Sequence, residues 1–71
     1  MTIYSRESCV PCHQLKKYLN SRGVLFTEKS VDDDHNLKEL IEITGTLLLP
    51  TVVKGNNIIR GLNYGAIAKI L

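Results

Sequence analysis

Apolar positions along this chain fall into short blocks whose period shifts between two and about four. Thr2 to Ser5 alternates weakly and is rich in β-forming residues, which predicts a short first strand. From about Val10 to Arg22, residues Cys12, Leu15, Tyr18 and Leu19 recur at helical spacing, and Gly23 supplies a stop. Val24 to Glu28 is β-branched and aromatic and reads as a second strand. Asp32-Asp33-Asp34 offers N-cap side chains and negative charge where a helix dipole favours it. Leu37, Leu40, Ile41 and Thr44 follow at i, i+3, i+4 and i+7, and Gly45 ends that helix. Thr51 to Lys54, after Pro50, is a third strand. Gly55-Asn56 reads as a two-residue hairpin turn into a fourth, Asn57 to Arg60. Gly61-Leu62-Asn63 breaks the pattern, and Asn63 is placed to cap a short last helix that buries Ile67, Ile70 and Leu71.

The element order is therefore β-α-β-α-β-β-α. Its first half requires a right-handed parallel crossover and its second half an antiparallel hairpin. The expected fold class is α/β, a four-stranded mixed sheet flanked by helices. No linker, repeat or low-complexity tract interrupts residues 1–71, so a single domain is expected. A chain of 71 residues buries only about 60% of the surface its unfolded form exposes, so the core is thin.

Composition narrows the function classes. The hydrophobic fraction of 44% is ordinary for a globular protein and argues against disorder. No apolar run approaches the roughly 20 residues needed to cross a bilayer, so no membrane role is expected. The start, Met1-Thr2-Ile3-Tyr4-Ser5, passes directly into patterned structure without a leader-like segment, which points to the cytoplasm. The net charge of +2 is spread along the sequence, and one Phe, three Tyr and no Trp leave little for base stacking. No nucleic-acid partner is expected, and the chain reads as a monomer. Lys16, Lys17 and Arg22 lie on the outer part of the first helix. They read first as a solvated face and second as a patch that steers an acidic partner.

The chemistry lies in Cys9-Val10-Pro11-Cys12. A secreted disulfide scaffold of this size carries four or more cysteines at wide spacing, and this chain has two, three positions apart. Reducing a disulfide needs a thiolate to attack sulfur and a second thiol to resolve the mixed disulfide. A Cys-x-x-Cys pair opening a helix meets both needs. The first thiol sits where unpaired N–H groups favour negative charge, and in such motifs its pKa falls to about 3.5–7.5. Cys9 is thus the expected nucleophile and Cys12 the resolving thiol. Arg6 is placed to assist the thiolate and Glu7 to oppose it. Pro11 suits a first helical turn, where a missing N–H costs little. The alternative is a metal or iron–sulfur module in which Cys9 and Cys12 act with an external thiol or a second subunit. Structural zinc wants four ligands, and His13 and His35 do not stand in ligand spacing, so both read as solvated surface side chains. The small copper chaperones also place Cys-x-x-Cys before a first helix, but their element order is β-α-β-β-α-β.

Tyr4-Ser5-Arg6-Glu7-Ser8-Cys9-Val10-Pro11-Cys12, Gly23-Val24-Leu25-Phe26, Val31-Asp32, Leu49-Pro50-Thr51-Val52-Val53 and Gly61 together resemble the glutaredoxin family over nearly the whole chain. Within it they are most similar to the short glutaredoxin-like redoxins of the NrdH type. The resemblance implies a thioredoxin-like fold, no bound prosthetic group, and a dithiol that passes electrons to disulfide-containing proteins, ribonucleotide reductase among them. It implies thioredoxin reductase or glutathione as the electron source. It also implies that Pro50 is cis and faces the cysteines, and that the backbone of Leu49 pairs with bound peptide or glutathione. The substrate-binding set it suggests is Arg6, Val10, Pro11, Leu49, Pro50, Gly61, Leu62 and Asn63. Two departures matter. Proline directly precedes the second cysteine, as in thioredoxins, which suggests a more reducing couple. The Gly-Gly-x-Asp-Asp of glutathione-using members is replaced by Gly61-Leu62-Asn63-Tyr64-Gly65, so the acidic grip on the glutathione amine is missing. The N-terminus of the last helix still offers N–H groups to a carboxylate.

Overall fold

The computed structural model describes residues 1–71. Four strands, β1 (Thr2–Ser5), β2 (Thr27–Ser30), β3 (Thr51–Lys54) and β4 (Asn57–Arg60), form one sheet in the order β2-β1-β3-β4. Three helices, α1 (Val10–Ser21), α2 (Asp34–Thr44) and α3 (Tyr64–Ile70), complete the β-α-β-α-β-β-α order read from the sequence. β1 runs parallel to β2 and antiparallel to β3, and β3 pairs antiparallel with β4 across the Gly55-Asn56 turn.

The alternation of side chains along the two central strands divides the core. Ile3 and Val52 point to one face, where they pack with Leu15 and Leu19 of α1 and Ile67 of α3. Tyr4 and Val53 point to the other, where they meet Val31 and, from α2, Leu37 and Leu40. α1 and α3 thus cover one face of the sheet and α2 the other. Each helix begins on a side-chain cap: Cys9 for α1, Asp33 for α2 and Asn63 for α3. Gly45 ends α2 in the left-handed conformation at φ 73°, which a residue without Cβ adopts at low cost.

Three expectations need correction. The second strand is not Val24–Glu28 but Thr27–Ser30, because pairing with β1 sets Thr2 opposite Thr27 and Ser5 opposite Ser30. Val24 donates its N–H to the Leu19 carbonyl and joins Phe26 against the core, while Leu25 is 93% exposed. At the last helix only Ile67 is fully buried; Ile70 is half-buried and Leu71 exposed. On α2, Leu40 and Thr44 are buried but Ile41 is 46% exposed, so its buried stripe is narrower than the periodicity suggests.

Candidate active site

The strand registers gather four loops at one end of the sheet. The chain leaves β1 after Ser5 and β2 after Ser30 at the same end, since those strands are parallel. β3 enters there, with Thr51 two residues beyond Leu49 and paired to Arg60, so Gly61–Asn63 leave β4 there as well. Cys9, Leu49, Pro50 and Gly61 are more than fifty residues apart at the extremes, yet topology assigns them to one edge.

Cys9 closes the first of these loops. Its N–H donates to the Arg6 carbonyl, and its backbone is extended at φ −95°, ψ 107° before the helix starts. Its Sγ accepts the Cys12 N–H at 3.2 Å, so the sulfur serves as the α1 N-cap. Pro11 stands in the first turn, where it removes no helical hydrogen bond. Cys12 lies one turn on, with a Cα–Cα separation of 5.2 Å, and the two are joined as a disulfide. Cys12 is fully buried, whereas Cys9 is half-buried and flanked by Val10, which is 63% exposed. A partner sulfur therefore reaches the pair from the side of Cys9.

The opposing loop is held by its own hydrogen bonds. The Leu49–Pro50 bond is cis. The Thr51 hydroxyl donates to the Leu48 carbonyl at 2.6 Å, and the Gly61 N–H donates to the Pro50 carbonyl at 2.8 Å. Pro50 and Gly61 are thus joined directly, and Gly61 takes φ 84° to make the turn. Leu49 and Leu62 are half-buried and Leu47 and Leu48 half-exposed, so this rim is apolar. The Asn63 side chain accepts the Ala66 N–H at 3.0 Å, which commits it to capping α3.

Arg6 is engaged with Asp32, Nε to Oδ1 at 3.3 Å, and Asp32 also accepts the Glu7 N–H. Its charge is shared with that carboxylate, rather than standing free for a thiolate. His13 is exposed, as expected of a surface side chain, but its Nε2 also donates to the Glu7 carbonyl and fastens the loop to α1. Beside it lies a polar cavity of about 260 Å³ lined by Ser5, Glu7, His13, Lys16, Glu28 and Ser30. Here Glu28 accepts from Ser5 at 2.6 Å and pairs with Lys16 at 2.8 Å. The Lys16 ammonium first, then the Ser5 hydroxyl, hold the Glu28 carboxyl below its ordinary value. These residues come from three elements without shared spacing, so no sequence signal grouped them. No three His, Cys, Asp or Glu side chains gather to hold a metal, and the metal-module alternative has only the two cysteines to offer.

Comparison with known proteins agrees with this geometry. Residues 1–59 match the glutaredoxin family. The glutaredoxin-like protein NrdH of Escherichia coli K12 is 36% identical over 56 residues, covering 79% of this chain and 69% of that one. That of Lactococcus lactis subsp. cremoris is 26% identical over 70 residues, covering 99% and 97%. The solved structure of the Escherichia coli NrdH-redoxin superposes with a TM-score of 0.84 at 31% identity, over 99% of this chain and 92% of that one. With a thioredoxin-like fold, a Cys-x-x-Cys disulfide at a helix mouth and these relatives, the chain belongs to the glutaredoxin family and is a thiol–disulfide oxidoreductase.

Proposed function

We propose that the chain is a dithiol electron donor to protein disulfides, with Cys9 as nucleophile and Cys12 as resolving thiol. The observation that carries this assignment is the asymmetry of the pair. Cys9 is reachable and accepts a helix N–H, while Cys12 is sealed beneath it. In the reduced protein the Cys9 thiolate attacks one sulfur of the partner disulfide. That S–S bond breaks, a mixed disulfide forms, and the first partner thiolate leaves. Cys12 then loses its proton and attacks the Cys9 sulfur. The second partner thiolate departs, and the intrachain disulfide remains. Two electrons pass to the partner, whose two thiolates take up the proton released by Cys12 and one from solvent.

The apolar rim of Val10, Pro11, Leu49 and Leu62, backed by the buried Pro50, receives the partner polypeptide around its disulfide, with Gly61 keeping the approach open. No prosthetic group takes part. Ribonucleotide reductase is the partner that the NrdH-type resemblance supports. Thioredoxin reductase is the favoured electron source over glutathione, because Tyr64 and Gly65 stand where the acidic pair that grips the glutathione amine would be. The thioredoxin-like activity profile attributed to the Escherichia coli NrdH-redoxin supports the same choice.

In disulfide-reduction assays with NADPH and a reductase, Cys9→Ser is expected to abolish turnover. Cys12→Ser is expected to accumulate a mixed disulfide visible by intact-mass spectrometry. Equal activity of the two variants would sink the assignment. Supplying the thioredoxin and glutathione systems in turn tests the electron source, and reduction by the glutathione system alone would reverse that choice.

A further inference from the structure

Folding gathers most carboxylates of this chain on the α2 side of the sheet. Of the seven carboxylate side chains, all but Glu7 fall between Glu28 and Glu42, on β2, α2 and the loop joining them. Neither α1 nor α3 contains Asp or Glu, and the one carboxylate that the sheet sends to their side, Glu28, is taken up by Lys16 and Ser5. On that face the exposed residues Val10, Gln14, Lys17 and Ser21 follow one another at intervals of four, three and four, a single stripe along α1. The stripe starts beside Cys9. Its far half opens into a shallow basin of about 640 Å³ lined by Gln14, Lys17, Tyr18, Ser21 and Tyr64.

The basin is built as well as charged. The Tyr18 and Tyr64 rings meet edge to face with centroids 4.8 Å apart, joining α1 to α3. The Arg22 guanidinium lies 5.5 Å from the Tyr18 ring centroid and donates to the Tyr18 hydroxyl at 2.7 Å. Lys16, the neighbouring cation, turns away to Glu28. Lys17 forms no ion pair within the chain and stands exposed in the basin.

We propose that this stripe is the docking track for an acidic segment flanking the partner's disulfide, with Lys17 and the Tyr18–Tyr64 pair as its distal anchor. The proposal rests on the redox assignment above and extends it to the partner's sequence. Distance sets the register. Seven residues of helix separate Val10 from Lys17, about 10 Å along the axis, and an extended peptide advances roughly 3.3 Å per residue. The acidic side chain facing Lys17 therefore lies about three residues from the reacting cysteine. The stripe's Gln14 and Ser21 supply uncharged polar contacts beside it, and the aromatic edge packs the peptide's aliphatic parts.

The test uses synthetic disulfide peptides carrying Asp or Asn three residues from the reacting cysteine, on its N-terminal side in one pair and its C-terminal side in another. Rates with the reduced protein are read at low and moderate salt. In one placement the Asp peptide is expected to react about fivefold faster than its Asn twin, consistent with one exposed ion pair. The advantage should shrink as salt screens it. Lys17→Glu is expected to reverse the preference while leaving the Asn peptide unchanged, and Tyr64→Ala to reduce it. Equal rates for Asp and Asn in both placements, or a Lys17→Glu variant that slows all peptides alike, would overturn the docking track while leaving the redox assignment standing. A protein that reduces none of the peptides overturns both.

Discussion

Tyr4 joins near-complete burial to a polar group that needs a partner. It is 1% exposed on β1, and its hydroxyl donates to Glu39 of α2, which also pairs with Lys29 of β2. Burial first, and the neighbouring Glu39 carboxylate second, push its phenol up to about 12 from an ordinary value of 10.0. The folded protein thus holds a phenolic proton that the unfolded chain gives up earlier. The stability linked to Tyr4 is complete below pH 10 and declines as pH rises from about 10 to about 12. Tyr4→Phe removes this dependence, and urea unfolding at pH 9 and pH 11 is expected to differ less for the variant than for the parent. At neutral pH the same substitution costs about 1 kcal/mol for the lost hydrogen bond. Tyr4 adjoins the Ser5-Arg6 stretch legible as part of the redox motif. Its partner Glu39 lies 35 residues away, beyond any local pattern.

At the scale of elements, the short strands and helices depend on what ties their ends together. Arg60, the last residue of β4, donates through Nη2 to the Thr44 carbonyl at 2.6 Å and through Nε to the Thr46 hydroxyl at 3.3 Å. It thereby satisfies a carbonyl at the C-terminus of α2, where a cation is also favoured by the dipole. The segment from Thr46 to Pro50, which carries the apolar rim, hangs between this clamp and the Thr51–Leu48 hydrogen bond. Arg60→Ala is expected to cost about 1–2 kcal/mol in chemical denaturation. It should also speed amide exchange at residues 46–48 more than in α1. Lysine at this position would restore only part of the effect, since one ammonium cannot make both contacts in the same geometry. The second strand teaches the converse lesson. Thr27-Glu28-Lys29-Ser30 has little β signal, yet as an edge strand it needs only to match β1, and its charge protects an otherwise open edge.

Across the whole molecule, carboxylates and ammonium groups link strands to helices on both faces. Lys16 of α1 reaches Glu28 of β2, and Lys29 of β2 reaches Glu39 of α2. Lys29 first, then Tyr4, hold the Glu39 carboxyl below its usual value, as Lys16 and Ser5 do for Glu28. For groups lowered in the folded state, the unfolded chain binds protons first as pH falls. Their contribution is therefore complete above the ordinary value of 4.5 and is lost as pH drops through the lowered one. The thermal midpoint is expected to fall below about pH 4.5, and Glu28→Gln should flatten that fall while lowering the midpoint modestly at pH 7. A profile of the same steepness in both proteins would show that Glu28 contributes nothing to acid unfolding.

Element types, their order and the redox pair were legible in the linear chain because each has a local physical cause. Helical spacing, the Asp33 and Asn63 caps, Gly45 and the Gly55-Asn56 turn act within a few residues. Cys9 and Cys12 are one helical turn apart by covalent necessity. The strand order, the register that places β2 at Thr27 rather than Val24, the cavity around Glu28 and the clamp of Arg60 on α2 come from pairing and packing between distant segments. So does the separation of charge. A net +2 that looks evenly spread resolves into two helices without a carboxylate on one side and an acidic helix on the other, because the sheet sends α1 and α3 to one side and α2 to the other.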